Sequence, residues 1–294
     1  MTEESKNHPL VSVILTSYNY ETFIQEAIDS VFNQTYRPME LIIVDDGSTD
    51  SSAEVIQEKV TDAPIPVTTI FQKNGGQANA WNNAYKKVNG EIVCFLDSDD
   101  YWKRIKVERM VTLVLDEPDG GIYQHQLENE AGEKKQRILN SGDYFKTWIE
   151  KGRLNLAIYQ GLISPCVPSS GLVFRKEVLD KVFPIPEILK TCPDAFLTRT
   201  APVFGPIHAY SGTLGYWREH GQNAGKQETY GYHEFWIPVI MPTLNEWYRE
   251  NDIPIEFYYK KRNLVKEGMR HWVMDTGQFW KYFKPYLINP FRRK

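Results

Sequence analysis

Leu10-Val-Ser-Val-Ile-Leu15 is short, β-branched and bounded by Pro9 before it and a polar cluster after it, the pattern of a buried strand. Over residues 19–36 the period changes. Phe23, Ile24, Ala27, Ile28, Val31 and Phe32 recur at helical spacing, and a second apolar run, Glu40-Leu-Ile-Ile-Val44, follows. The same alternation continues with a weaker helix from Ser51, a strand at 67–71, a helix at 76–88 and a strand at 91–96. Strands alternating with helices predict a mostly parallel central sheet flanked by helices, a Rossmann-like α/β arrangement. Ligands of such sheets sit beyond the carboxyl ends of the strands. The residues after Leu15, Val44 and Leu96 should therefore meet in one crevice: Thr16-Ser-Tyr-Asn19, Asp45-Asp-Gly-Ser-Thr-Asp50 and Asp97-Ser-Asp-Asp100.

After a helix at 103–116 the regular alternation stops, and residues 120–215 mix short strands, loops and a helix at 176–182. From Tyr230 the chain turns aromatic and then basic, with helical patterning at 236–248 and 258–272 interrupted by Pro254. This divides the chain into a polar lead at 1–8, a first half at 9–119, a second half at 120–228 and a helical aromatic and basic appendage at 229–294. Three scattered cysteines exclude a disulfide framework, and no CxxC pair points to zinc. No stretch approaches the roughly 20 apolar residues of a spanning helix. A cytoplasmic protein is expected, with peripheral contact to the inner face of the membrane as an option. Net charge is −4, but residues 256–294 hold ten Lys/Arg against three Asp/Glu. The remaining body is acidic, which argues against nucleic acid as a partner. The tail, with ten aromatics among its cations, suits either an anionic membrane surface or packing on the domain or a second copy.

Asp97-Ser-Asp99 sets two carboxylates at i and i+2 directly after a strand, where both can face a ligand. Hard oxygens suit Mg²⁺ or Mn²⁺, which keep water and substrate phosphate in their shells and need one or two protein carboxylates. The competing reading is a helix cap or Asx-turn, and for Asp45-Asp-Gly-Ser48 ordinary turn chemistry competes more strongly still. The chain has no GxGxxG after its first strand and no GxxxxGK[ST]. A bound diphosphate would thus be neutralised by a metal rather than by a glycine loop.

Five ordered segments, Val11-Ser-Val-Ile-Leu-Thr-Ser-Tyr-Asn19, Ser30-Val-Phe-Asn-Gln-Thr35, Val44-Asp-Asp-Gly-Ser-Thr-Asp50, Asn74-Gly-Gly-Gln-Ala78 and Gly90-Glu-Ile-Val-Cys-Phe-Leu-Asp-Ser-Asp-Asp100, resemble those of family 2 glycosyltransferases of the GT-A fold. The resemblance covers about residues 9–225. It implies a metal-dependent, inverting transfer from a nucleotide-diphosphate sugar, a UDP-sugar, to a glycan or lipid-linked acceptor in surface polysaccharide synthesis. It also implies that Thr16 and Tyr18 frame a uracil-type base, that Asp46 hydrogen-bonds it, that Asp97 holds the ribose and that Asp99 ligates Mn²⁺ or Mg²⁺. Ser169-Ser-Gly-Leu-Val-Phe-Arg175 resembles the strand lining the acceptor side, and Asp194 matches the catalytic base, with an N-cap as its plainer alternative. Arg218 and His220 resemble a late motif in which the histidine approaches metal or diphosphate. Gly76 and Gln77 lie in the acceptor and diphosphate region.

Two departures stand out. The usual Glu-Asp pair is Pro193-Asp194 here, and Trp81 occupies a position where relatives carry an arginine. Two other functions compete: a sugar nucleotidyltransferase, which would open with a glycine-rich phosphate loop, and a nucleotide-sugar-binding protein that has lost turnover.

Overall fold

A computed structural model describes residues 8–133, 153–155, 168–220 and 232–258. The first half forms β1 (Val11–Ser17), α1 (Ile24–Phe32), β2 (Met39–Asp45), α2 (Ser52–Val60), β3 (Val67–Phe71), α3 (Gln77–Tyr85) and β4 (Ile92–Asp97). It continues with the two-residue β5 (Tyr101–Trp102), α4 (Lys106–Asp116) and β6 (Ile122–Glu128). A short strand β7 (Arg153–Asn155), a 3₁₀ turn (Ser169–Gly171), β8 (Leu172–Arg175), α5 (Lys176–Leu179), α6 (Asp194–Thr200) and β9 (Ile207–Tyr216) follow. A π-helical run (Tyr232–Ile240) leads into α7 (Met241–Glu250) and β10 (Glu256–Tyr258), which pairs with β7.

Eight strands make one sheet in the order β3-β2-β1-β4-β8-β6-β9-β5. The expected parallel α/β half is present: β1 pairs in parallel with β2 and β4, and β2 with β3. Beyond β4 the sheet is mixed, because β8 runs antiparallel to both β4 and β6 while β6 and β9 are parallel. Alternate residues of each strand enter separate cores. Val13 and Leu15 join Ile28, Val107 and Met110 on one face, whereas Ile14, Val44 and Phe95 join Trp81, Phe196 and Trp247 on the other. Phe235, Leu244 and Tyr248 belong to that second core, so the described part of the C-terminal segment packs on the sheet-bearing body.

The first helix starts at Ile24, later than its apolar pattern suggests. Residues 19–21 are drawn instead to the loop after β2: Asn19 N–H donates to Ser48 Oγ at 2.9 Å, Tyr20 N–H to Ser52 Oγ at 3.0 Å and Glu21 N–H to Asp50 Oδ2 at 3.0 Å. Asn19 has φ 58, a left-handed conformation that a small polar residue tolerates. The helix expected at 176–182 is regular only to Leu179. Pro184 disfavours helical backbone at Phe183. The expectations for residues 259–294, including the basic aromatic tail and the helical patterning at 258–272, and for the 1–7 lead lie outside the described residues. No helix among the described residues is long and apolar enough to cross a membrane.

Candidate active site

Register brings the acidic strand ends together. Thr16 on β1 lies level with Asp97 on β4, and Ser17 lies level with Asp45 on β2. Because β8 runs back along β4, its entry turn Ser169–Gly171 reaches the carboxyl end of β4. β9 runs parallel to β6, so the segment leaving it delivers Arg218 and His220 to the same edge. Three parts of the sequence thus converge where only the first was legible from alternation.

Asp99 meets His220, with Nε2 of the ring 2.9 Å from Oδ2. The imidazole stacks on Phe23 at 5.0 Å between centroids and stands edge-on to Tyr20 at 5.6 Å. Arg218 is ion-paired with Glu26 and donates to the Asp99 carbonyl at 3.3 Å. Burial, with Asp99 next to it, pushes the Asp97 carboxyl up to about 7. Asp100 is raised well above the carboxylate range by burial, then by Asp99 and Asp97. Burial and the same three acids also raise the Tyr20 phenol. Carboxylates forced together in this way favour a bound cation. Oxygen donors with one imidazole are the set that Mn²⁺ accepts, and a smaller all-oxygen share suits Mg²⁺. Asp99 and His220 therefore fit a divalent metal.

Asp194 is the first residue of α6 rather than its cap, since Pro193 holds that place. Burial raises its carboxyl, against the opposing pull of Arg199 and the helix N–H groups at Ala195 and Asp194. Asp194 and Asp97 are neighbours: Asp194 helps raise the Asp97 carboxyl, and both push up the partly buried Cys192 thiol, behind burial itself. Asp194 thus lies close to the Asp97–Asp100 turn.

Other predicted residues have local duties. Asp46 Oδ1 accepts from Gly75 N–H at 2.8 Å and Gln72 Nε2 at 2.7 Å, and Oδ2 accepts from Gly76 N–H at 2.8 Å. Gln77 N–H donates to the Lys190 carbonyl at 2.7 Å, and its side-chain amide donates to Asp97 at 3.1 Å. The amides of residues 75–77 are therefore engaged within the protein. Gly76 has φ 87, and a Cβ there would lie 2.7 Å from the Lys190 carbonyl oxygen, so only glycine lets the Asp194 loop approach so closely. Gly47, with φ 75, likewise lets Asn74 N come within 2.7 Å of its missing Cβ. Thr16 is buried and Tyr18 exposed at the rim. Trp81 is core, 1% exposed, with its ring 4.3 Å from Phe95. Its place is filled by packing, and the guanidinium that acts on Asp194 comes from Arg199.

Ser169 and Ser170, expected to open a strand, form a 3₁₀ turn instead, with the strand starting at Leu172; they bond to Asp97 and Asp100 across about 70 residues, pairings that sequence reasoning missed. A separate trio, Glu117, Asp119 and His208, has ligand atoms within 4.8 Å of one another. It lies where β6 and β9 begin, the opposite edge of the sheet from Asp99. There the ring sits between the acids, Nε2 3.0 Å from Asp119 and Nδ1 3.9 Å from Glu117.

A sequence profile described as Glycosyl transferase family 2 matches residues 12–183. An uncharacterized glycosyltransferase of Nostoc sp. (strain PCC 7120) is 36% identical over 214 residues, 72% of this chain and 66% of that protein. The Escherichia coli UDP-Glc:alpha-D-GlcNAc-diphosphoundecaprenol beta-1,3-glucosyltransferase WfaP is 40% identical over 105 residues, 35% of this chain and 40% of that one. The chain thus spans two thirds or less of these relatives. Among solved structures, S. aureus TarS 1–349 in complex with UDP-GlcNAc aligns with TM-score 0.60 and 18% identity, over 96% of this chain and 76% of that one. A Pyrobaculum calidifontis mannosyltransferase in complex with GDP-Man and Mn²⁺ aligns with TM-score 0.56 and 19% identity, over 90% and 69%. At these identities the likeness is one of fold, and the fold is the GT-A fold expected from the sequence.

Proposed function

The chain belongs to glycosyltransferase family 2, and on that premise we propose that it transfers a sugar from a nucleotide-diphosphate sugar, a UDP-sugar, to an acceptor hydroxyl with inversion, using Mn²⁺ or Mg²⁺. The observation that carries this reading is the meeting of Asp97, Asp99 and His220 with Asp194 at one sheet edge. The donor belongs to the half at 9–119 and the acceptor to the half at 120–228. Exposed Tyr18 and buried Thr16 frame the base. Asp46 Oδ2 accepts one hydrogen bond from Gly76, and a carboxylate oxygen has room for a second, from a base N–H. Asp97 receives the ribose hydroxyls.

Asp194 takes the proton of the acceptor hydroxyl as its oxygen bonds to the anomeric carbon. On the opposite face the bond to the diphosphate oxygen breaks and the electron pair leaves with the diphosphate. Burial keeps Asp194 a stronger base than an exposed carboxylate, which suits proton abstraction. Asp99 and His220 would hold a divalent cation, which would supply Lewis-acid stabilisation of that departing charge. The acceptor reading is a glycan or lipid-linked sugar of a surface polysaccharide, supported by the diphosphoundecaprenol substrate named for the Escherichia coli relative. A cytoplasmic enzyme, with the basic aromatic tail on the inner membrane face or against a second copy, accords with that acceptor. Co-sedimentation with anionic vesicles at low salt separates the two tail readings.

The test is release of nucleoside diphosphate from a panel of UDP- and GDP-sugars with Mn²⁺, with and without acceptors. Binding without release under every acceptor condition would favour the turnover-deficient reading. Pyrophosphate formed from a nucleoside triphosphate and a sugar phosphate would favour a nucleotidyltransferase.

A further inference from the structure

Ser169 and Ser170 occupy a buried 3₁₀ turn at the entry of β8, 4% and 0% exposed. Ser169 donates its hydroxyl to Asp97 Oδ2. Ser170 works in two directions: its Oγ accepts from Asp97 N–H at 3.1 Å and donates to Asp100 Oδ2 at 2.6 Å. Its carbonyl accepts from the indole of Trp102 at 2.8 Å, which ties the far end of the same turn. The second oxygen of Asp100 accepts from Arg218 N–H at 3.1 Å. Two residues later His220 reaches Asp99. One connected set of hydrogen bonds thus runs from the β8 turn through Asp97 and Asp100 to the segment bearing His220, and Asp99 lies inside it.

A cap or an Asx-turn would leave Asp100 bonded to its own helix. Here each of its oxygens instead joins a different distant segment, and a carboxylate 5% exposed is kept among other acids to do so. Such a buried acid is costly unless its partners are fixed. We propose that Ser169, Ser170 and Asp100 are positioning residues that set the Asp97-Ser-Asp99 turn and His220 in the arrangement that takes up the divalent cation with the nucleoside diphosphate. The inference rests on the functional reading above. None of the three touches the reacting atoms. Outer partners of metal ligands commonly change metal affinity by about 10–100-fold when removed.

Mn²⁺ uptake is measured without turnover, from the loss of the free-ion electron paramagnetic resonance signal, in the presence of UDP or GDP, whichever the wild type holds. Ser169→Ala, Ser170→Ala and Asp100→Asn should each raise the half-saturating Mn²⁺ about tenfold or more. Tyr36→Phe is the control. It removes a buried hydrogen bond, Tyr36 to the Pro9 carbonyl at 2.7 Å, at the opposite edge of the sheet, and should leave Mn²⁺ affinity unchanged even if the thermal midpoint falls. If Ser170→Ala fails to fold, Ser169→Ala and Asp100→Asn carry the comparison. Folded variants that bind Mn²⁺ within twofold of wild type, or a control that weakens it equally, overturn the proposal. A wild type that takes up no Mn²⁺ with either nucleotide overturns the functional reading itself and the inference with it.

Discussion

Nε2 of His220 lies 2.9 Å from Oδ2 of Asp99, across 121 residues of sequence. Nothing local in either segment requires this meeting. It follows from β9 running parallel to β6 and ending at the edge where β4 ends.

Asp99→Ala should reduce transfer to near background and weaken nucleoside-diphosphate binding, because the diphosphate would face Asp97 and Asp100 with less compensation. A chelator should reproduce the variant in wild type. His220→Ala should cost less, about tenfold, since a carboxylate ligand remains. Full transfer by a chelated wild type would overturn the metal assignment.

Asp194→Asn should leave donor affinity nearly intact and lower kcat by about 10²–10⁴-fold, the usual range for loss of a general base. Asn keeps the shape and the favourable place in the first turn of α6. Equal losses in donor binding and kcat, read from titration and steady-state kinetics, would instead mark Asp194 as a support of the helix.

The strand-end residues were legible because alternation alone sends Thr16, Asp46 and Asp97 to one edge. The Asn19–Ser48 and Tyr20–Ser52 contacts were not, since they set two loops against each other and delay α1 without altering its apolar pattern. The Ser169–Asp97 contact was hidden for another reason. It depends on β8, four residues long, pairing antiparallel with β4, and no local period reports such a partner. Trp81 illustrates the limit of resemblance: where relatives carry an arginine, this chain has a core residue whose ring lies 4.3 Å from Phe95.

The acidic turn should also make metal-free stability depend on pH. Asp97 is raised from an ordinary carboxylate value to about 7 in the folded chain. A group with a raised folded pKa contributes stability that is complete below its unfolded pKa, near 4, and is lost as pH rises through about 7. His125, held at about 3 by burial and then by Lys106, opposes this by favouring unfolding as pH falls below about 6.5. With chelator present, Asp97→Asn should raise the thermal midpoint relative to wild type at pH 7.5, while the two should converge near pH 4. A difference independent of pH would show that Asp97 is not the group responsible.

Lys106 supplies the last test, on stability alone. Its side chain is fully buried, and its Nζ lies 3.5 Å from the centroid of Trp102 with the Cys94 thiol nearby. Burial lowers its pKa, against a smaller upward pull from Cys94. Cation–π attraction at a desolvated site is worth about 2 kcal/mol, whereas removing an ammonium from water costs several kcal/mol. Desolvation should prevail. Lys106→Met, which keeps much of the volume and the contact with Trp102, should therefore raise the thermal midpoint. The sign of the linkage is also fixed: a depressed folded pKa gives stability that is present near the unfolded pKa, about 10.4, and lost as pH falls. The gain from Lys106→Met should accordingly be larger at pH 6 than at pH 9. A variant less stable than wild type at both pH values would mean that the ring contact outweighs desolvation and that Lys106 holds the sheet end of α4 against Trp102.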